Sequence, residues 1–123
     1  MTTSVLDEGM RRELANWDDA AMALHWVGAE GVILWANRTE LEMLGYAPGD
    51  YIGHNICEFH EDVGRCAEIL AKLTAGEVLH DYPARLLHHD GSICEVRIDS
   101  SVRWEDGKFT HTRCFTRPWS GGQ

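Results

Sequence analysis

The sequence predicts an α+β domain: a five-stranded antiparallel sheet with short helices and one longer helix packed on one face, preceded by an amphipathic flanking helix. Three observations predict it. The stretch GVILWANRTELEMLGY, residues 31–46, reads as a strand running straight into a short helix with a glycine stop. The last third of the chain reads as strand throughout, broken by two Asp-Gly turns. All the remaining helical segments fall between the second and third strands, an order that a βαβ crossover sheet cannot produce.

Taken in order, residues 4–17 form an amphipathic helix. Leu6, Met10, Leu14 and Trp17 fall on one stripe, with Asp7, Glu8, Arg11, Arg12 and Glu13 opposite. That stripe either caps its own sheet or pairs with a second copy of the chain, because Leu6 and Trp17 otherwise face water. These four residues are the candidates for a dimer helix. Residues 22–28, MALHWVG, form a strand, and Ala29-Glu30-Gly31 turns the chain into a second over 32–36, closing an antiparallel hairpin. Asn37 caps the next helix, Glu40 stands where a capping box requires it, Leu41 and Leu44 face the core, and Gly45 supplies the left-handed stop. The following stretch, APGDYIGHNICEFHED, is rich in turn residues and predicts short helical turns. The longer helix spans 63–75, with Cys66, Ile69, Leu70 and Leu73 at i, i+3, i+4 and i+7, and Gly76 ends it.

Residues 79–89 form the third strand, closed by His89-Asp90-Gly91-Ser92. Residues 93–104 alternate. Cys94, Val96, Ile98, Ser100, Val102 and Trp104 share one face, while Glu95, Arg97, Asp99, Ser101 and Arg103 share the other. Glu105-Asp106-Gly107-Lys108 turns the chain again into a last strand over 109–117, which Pro118 stops.

Composition narrows the function. A chain of 123 residues is one domain with a single core. Its net charge is −9, and only Arg11 and Arg12 are adjacent among the arginines, so no basic stripe exists to bind nucleic acid or an anionic membrane. No window approaches the ~18 apolar residues of a membrane span, and the N-terminus has no apolar signal region. A cytoplasmic location is expected. Cys57, Cys66, Cys94 and Cys114 include no CxxC pair and are read as free, mostly buried thiols. There is no nucleophile elbow, phosphate loop or His-Glu metal motif. Asp18-Asp19 and Glu61-Asp62 read as caps and solvated turns, and the adjacent His88 and His89 point to opposite faces of a strand. Neither catalysis nor a metal site is expected.

The order of elements and the residues that mark it resemble the PAS domain family. The matching pieces are GVILWANRTELEMLGY, then DYIG, EFHED, the turn ARLLHHDGS, the strand VRIDSSV and the ending KFTHTRCFTR, which looks like the last strand of PAS modules in bacterial sensor histidine kinases. The resemblance implies a domain over residues 20–118, a flanking helix over 1–19 and a short tail over 119–123. It also implies a pocket between the sheet and the longer helix, where family members bind small ligands or cofactors, and signalling by homodimerisation to an effector or partner. Relay-type members run on from the last strand into an Asp-Ile-Thr segment. Here Pro118, Trp119 and Ser120 occupy those positions, and no kinase, cyclase or DNA-binding module accompanies the domain. The expectation is therefore a sensory module that comes from, or acts with, a sensor histidine kinase.

The alternative is a sensor carrying haem or flavin. Blue-light members carry a reactive cysteine directly after Gly-x-Asn, but here Gly53-His54-Asn55 is followed by Ile56, and Cys57 arrives one residue late, rotated by ~100° on a helical turn. Haem-binding members usually offer an axial histidine from the longer helix, and residues 63–75 contain none, leaving His25, His60 and His111 for an unusual ligation. No cofactor is expected. For a small-molecule pocket the candidate residues are Val96, Ile98, Ser100 and Val102 on one strand, Tyr82 and Leu86 on its neighbour, and Trp35. Trp26, Trp35 and Trp104 either line such a site or fill it. Arg113 joins the candidates if it points inward, where a buried cation needs an anionic partner such as a ligand carboxylate or Asp99.

Overall fold

The computed structural model describes Arg12 and residues 14–119. Its strands are β1 (Ala23–Val27), β2 (Ile33–Ala36), β3 (Leu79–Leu87), β4 (Ile93–Glu105) and β5 (Lys108–Pro118). Between β2 and β3 lie α1 (Arg38–Leu44), α2 (Pro48–Tyr51), a 3₁₀ turn (Ile56–Phe59) and α3 (Val63–Thr74). The strands form one antiparallel sheet in the order β2-β1-β5-β4-β3, so the first hairpin meets the last strand and β1 and β5 run through the middle. The family fold anticipated from the resemblance is the fold observed.

Local chemistry accounts for most of the boundaries. At the β4–β5 turn both Asp106 (φ 51°) and Gly107 (φ 76°) take positive φ, the geometry that lets a two-residue loop follow the twist of its strands. Gly45 closes α1 at φ 81°, donating its N–H to the Leu41 carbonyl. Asn37 does more than cap α1. Its Oδ1 accepts from the backbone N–H groups of Glu40 and Leu24, each at 3.0 Å, and its Nδ2 donates to the carbonyls of Trp17 and Met22 at 3.0 and 2.9 Å. One fully buried amide thus ties the chain before β1, the start of β1 and the start of α1 together.

Several expectations are corrected. Glu40 does not reach back to complete a capping box; it is fully buried and turns into the core. The box lies instead at Asn55 and Glu58, at the start of the 3₁₀ turn. The buried face of β4 ends at Val102, and Trp104, beyond a register shift after Arg103, is 45% exposed and meets Phe109 edge-on. β5 does end at Pro118, which is itself the strand's last residue and pairs with Val96. Cys57 and Cys66 are joined in a disulfide that ties the 3₁₀ turn to α3, so only Cys94 and Cys114 are free thiols among the described residues. Their spacing carried no sign of this, since the pairing depends on how two separate helical turns pack.

The main core lies between the sheet and the helices and includes Val27, Ile33, Leu44, Tyr51, Phe59, Leu73, Val96 and Ile98. A second cluster covers the opposite face of the sheet, where Leu14 packs with Leu24 and Trp26. Both faces of β1 are therefore covered, and all five of its residues are buried. Of the four dimer-helix candidates, Leu14 is buried on its own sheet and Trp17 is 43% exposed; Leu6 and Met10 lie outside the described residues.

Candidate functional site

A small cavity remains between α3 and the sheet. The helix contributes Cys66, Ile69, Leu70 and Leu73, and the 3₁₀ turn contributes Ile56. From the sheet come Val27, Leu86 and Ile98, and with them a polar wall of His25, Ser100, Thr112 and Cys114. His60, held beside Leu86 by a lone β-bridge, completes the lining. The cavity measures about 20 Å³, room for one water-sized molecule.

The polar wall follows from strand register. His25 and Cys114 are directly opposed across β1 and β5, and Cys114 and Ser100 across β5 and β4, so all three project to the same inner face. The Ser100 hydroxyl lies 3.1 Å from the Cys114 sulfur and the Thr112 hydroxyl 3.6 Å from it. Behind His25 stands Glu40, its Oε2 2.8 Å from His25 Nδ1, a contact of charges that lies off the line of an N–H hydrogen bond. The same oxygen accepts from the Tyr51 hydroxyl at 2.5 Å. Tyr51, Glu40, His25 and Cys114 thus form a continuous buried chain.

Electrostatics within that chain are strong because little water screens it. Burial alone lowers the His25 imidazole, yet Glu40 and Cys114 outweigh it and raise its pKa well above the ordinary histidine value. Burial alone raises the Cys114 thiol, but His25 and the two hydroxyls pull it below the ordinary thiol value. Tyr51 is raised by burial and by Glu40. His60 goes the other way: burial first, then the charge on His25, lowers it to about 4, so it is neutral at physiological pH.

Of the sequence-predicted pocket residues, Leu86, Ile98 and Ser100 line the cavity. Tyr82, Val96 and Val102 pack against the same core but lie outside the cavity lining. Tyr82 instead hydrogen-bonds Glu68 and faces Arg65 at the rim. Trp35 and Arg113 lie on the opposite face. Trp35 is paired with Trp26 and meets it edge-on, and the Arg113 guanidinium lies 5.4 Å from the Trp26 ring. Arg113 is half-buried there, so it needs no carboxylate partner. Trp35 reaches that face through a register shift between Trp26 and Val27, which leaves Leu34 as an extra residue in β2.

Sequence reasoning missed His25, Glu40, Cys114 and Thr112 as a group. The available signal was a histidine inside an apolar strand and a cysteine inside the last one. What brings them together is the pairing of the first strand with the fifth, a contact 89 positions apart for His25 and Cys114 that no local pattern encodes. Among the described residues no cluster of histidine, cysteine and acidic side chains has the arrangement of a metal site, and no helix is long and apolar enough to cross a membrane.

The cavity holds about 20 Å³ against the roughly 300 Å³ or more of a typical ligand pocket, so a flavin would enter only with α3 moved off the sheet. Cys57, the residue nearest to a photoreactive position, is bonded to Cys66. A haem is larger still, and His25 is already engaged by Glu40.

Comparison with known proteins agrees with the fold. The family profile for the PAS fold matches residues 17–117. The PAS domain of an HTR-like protein from Haloarcula marismortui superposes with a TM-score of 0.75 at 21% identity, covering 93% of this chain and 94% of that one. A LOV protein from Rhodobacter sphaeroides gives a TM-score of 0.80 at 18% identity over 94% of this chain and 70% of that one. A domain of a sensory box sensor histidine kinase/response regulator from Geobacter sulfurreducens gives 0.73 at 18%, covering 90% and 96%. No curated protein matches by sequence. With a profile spanning most of its length and the five-stranded sheet in place, this chain belongs to the PAS-fold family.

Proposed function

We propose that the domain is a sensory input module of a bacterial signalling system, acting within or alongside a sensor histidine kinase, and that it reports the state of its core cavity to that partner. The observation that carries this reading is the buried chain Tyr51–Glu40–His25–Cys114 set against the cavity. Apolar side chains of similar volume would generally give an equal or greater stability than buried charges. Groups with strongly displaced pKa values gathered at one cavity favour a functional role over a merely structural one.

A ligand larger than water enters by moving α3 away from the sheet, since that helix supplies one wall of the cavity. Its binding shifts the balance between two packings of the helix on the sheet. The central strands β1 and β5 carry that shift to the outer face, where Leu14 packs, and the candidates Leu6, Met10 and Trp17 are proposed to pass it on by pairing with a second copy. No step of this relay requires the chain itself to catalyse a reaction.

Native mass spectrometry of freshly purified protein tests both halves. A dimer carrying an added small-molecule mass is the expected result. A monomer at micromolar concentration, unchanged by deleting residues 1–17, removes the dimer relay, and a ligand-free spectrum under every growth condition removes the small-molecule reading. The haem or flavin alternative has its own test in the absorbance spectrum: a band above ~300 nm after reconstitution would revive it.

A further inference from the structure

Cys114 has the surroundings of a reactive thiol. His25 faces it directly across the β1–β5 ladder, Ser100 donates its hydroxyl to the sulfur at 3.1 Å, the Thr112 oxygen lies 3.6 Å from it, and Glu40 stands 2.8 Å behind the imidazole. Sulfur, imidazole and carboxylate therefore follow one another through the core, the carboxylate acting on the imidazole by its charge. His25 and the hydroxyls lower the Cys114 pKa while Glu40 and Cys114 raise that of His25, and both shifts favour the thiolate–imidazolium pair.

A second, independent feature points to what meets that thiolate. His60 is 6% exposed and lines the same cavity, and burial and the charge on His25 keep its imidazole neutral at physiological pH. A neutral imidazole, the Cys114 sulfur and two hydroxyls thus line a space of about 20 Å³. That space fits a single polar molecule of about the size of water.

We propose that Cys114 is a site of oxidation by hydrogen peroxide, admitted to this cavity by its size and its polarity. The thiolate attacks one peroxide oxygen and the O–O bond breaks. The sulfur loses two electrons and becomes a sulfenic acid, and the departing hydroxide takes the proton of the His25 imidazolium and leaves as water. Hydrogen peroxide is the oxidant and is fully reduced. Cys57 and Cys66 are tied to each other, and Cys94 lies outside the cavity lining with its sulfur towards the Met43 carbonyl. No free thiol faces Cys114, so the sulfenic acid persists until an external thiol reduces it. This inference goes beyond the ligand-sensing reading and stands without it, since the oxidation needs neither a bound ligand nor a dimer.

The test uses the full chain carrying Cys94→Ser, exposed to hydrogen peroxide at pH 7 without reductant, with oxidation at Cys114 followed by peptide mass spectrometry. A free thiol is only a few per cent thiolate at that pH. A larger ionised fraction, offset by the lower nucleophilicity of a weaker base, predicts oxidation faster than that of free cysteine, by up to about tenfold. A bulky alkyl hydroperoxide should react far more slowly, because it must first move α3 off the sheet and hydrogen peroxide need not. Thiolate absorbance at 240 nm, read on the same protein, should already be present at pH 7. In the His25→Gln variant, checked for native circular dichroism, the rate should fall to that of free cysteine or below. Oxidation of the natively folded Cys94→Ser protein no faster than free cysteine, no thiolate absorbance until pH 9, or equal rates for the two peroxides would each overturn the proposal. The absorbance and size-selectivity readings hold even if the His25 variant does not fold.

Discussion

Replacing Asn37 with alanine should destabilise the domain by about 3 kcal/mol, roughly three times what a helix cap contributes. A cap alone is worth about 1 kcal/mol. Asn37 also accepts from the Leu24 N–H in a fully buried setting and donates to the carbonyls of Trp17 and Met22. Stranding the buried Leu24 N–H costs about 1–3 kcal/mol. The two carbonyls are only partly buried, next to the exposed Trp17 and Met22, so water replaces much of what they lose. The sum is about 3 kcal/mol. Urea unfolding followed by fluorescence of the five tryptophans reads it as a fall of about 2 M in midpoint at a slope near 1.5 kcal/mol/M. Asn37→Asp separates the contributions. It keeps the acceptor for both N–H groups but sets a carboxylate oxygen against two carbonyls, so it should also be destabilising, and less so below pH 4, where its protonated form again donates. A loss of 1 kcal/mol or less for Asn37→Ala would show that the residue is only a cap and would refute the reasoning.

Three further outcomes follow from the same structure. Removing the Cys57–Cys66 disulfide by double substitution to serine should cost about 2.6 kcal/mol from the loop-closure entropy of its nine-residue separation, measured as the difference in urea midpoints; no difference would mean that the bond does not form in the folded protein. His60 is held near 4, below its ordinary 6.5, so the unfolded chain takes up a proton that the folded one declines. Its contribution is complete above pH 6.5 and is lost as pH falls towards 4, about 3 kcal/mol in all, and His111, shifted in the same direction, steepens the slope. His60→Gln should flatten the stability profile between those values; an unchanged profile would rule this origin out. Glu40→Gln removes the charge that holds His25 protonated, so the His25 imidazole should titrate at lower pH by NMR and stability should fall by on the order of 3 kcal/mol. An unaltered His25 titration would contradict the coupling.

Where a structural feature depends on neighbours in sequence, it was legible. The helix between Asn37 and Gly45 follows from a side-chain cap at one end and a residue free to take positive φ at the other. The alternation of β4 showed which residues share a face, and the Asp-Gly pairs placed both hairpin turns. Glu40 shows the limit of that reasoning. The same carboxylate three residues after a cap fits a capping box or a buried partner for His25, and only the position of Tyr51 and β1 selects the second.

The candidate site was much less legible than the fold. β1 is apolar at nearly every position and covered on both faces, so its pattern carries no phase and does not say that His25 looks inward while Trp26 looks outward. The same ambiguity placed Arg113 and Trp35 with the pocket, whereas strand register turns both to the far face. β3 carries a register shift between Leu79 and Tyr82, with Asp81 at φ 52°, which lets Leu79 and Ala84 both be buried although their spacing puts them on opposite faces of an unbroken strand. By itself the sequence determined the order of elements, their caps and turns, and hence the family, because each rests on forces acting within a few residues. The tertiary structure alone decided the disulfide, the small cavity and the His25–Cys114 pairing, because these are set by which distant strands and helices meet, and long-range contacts leave no periodic trace in the chain.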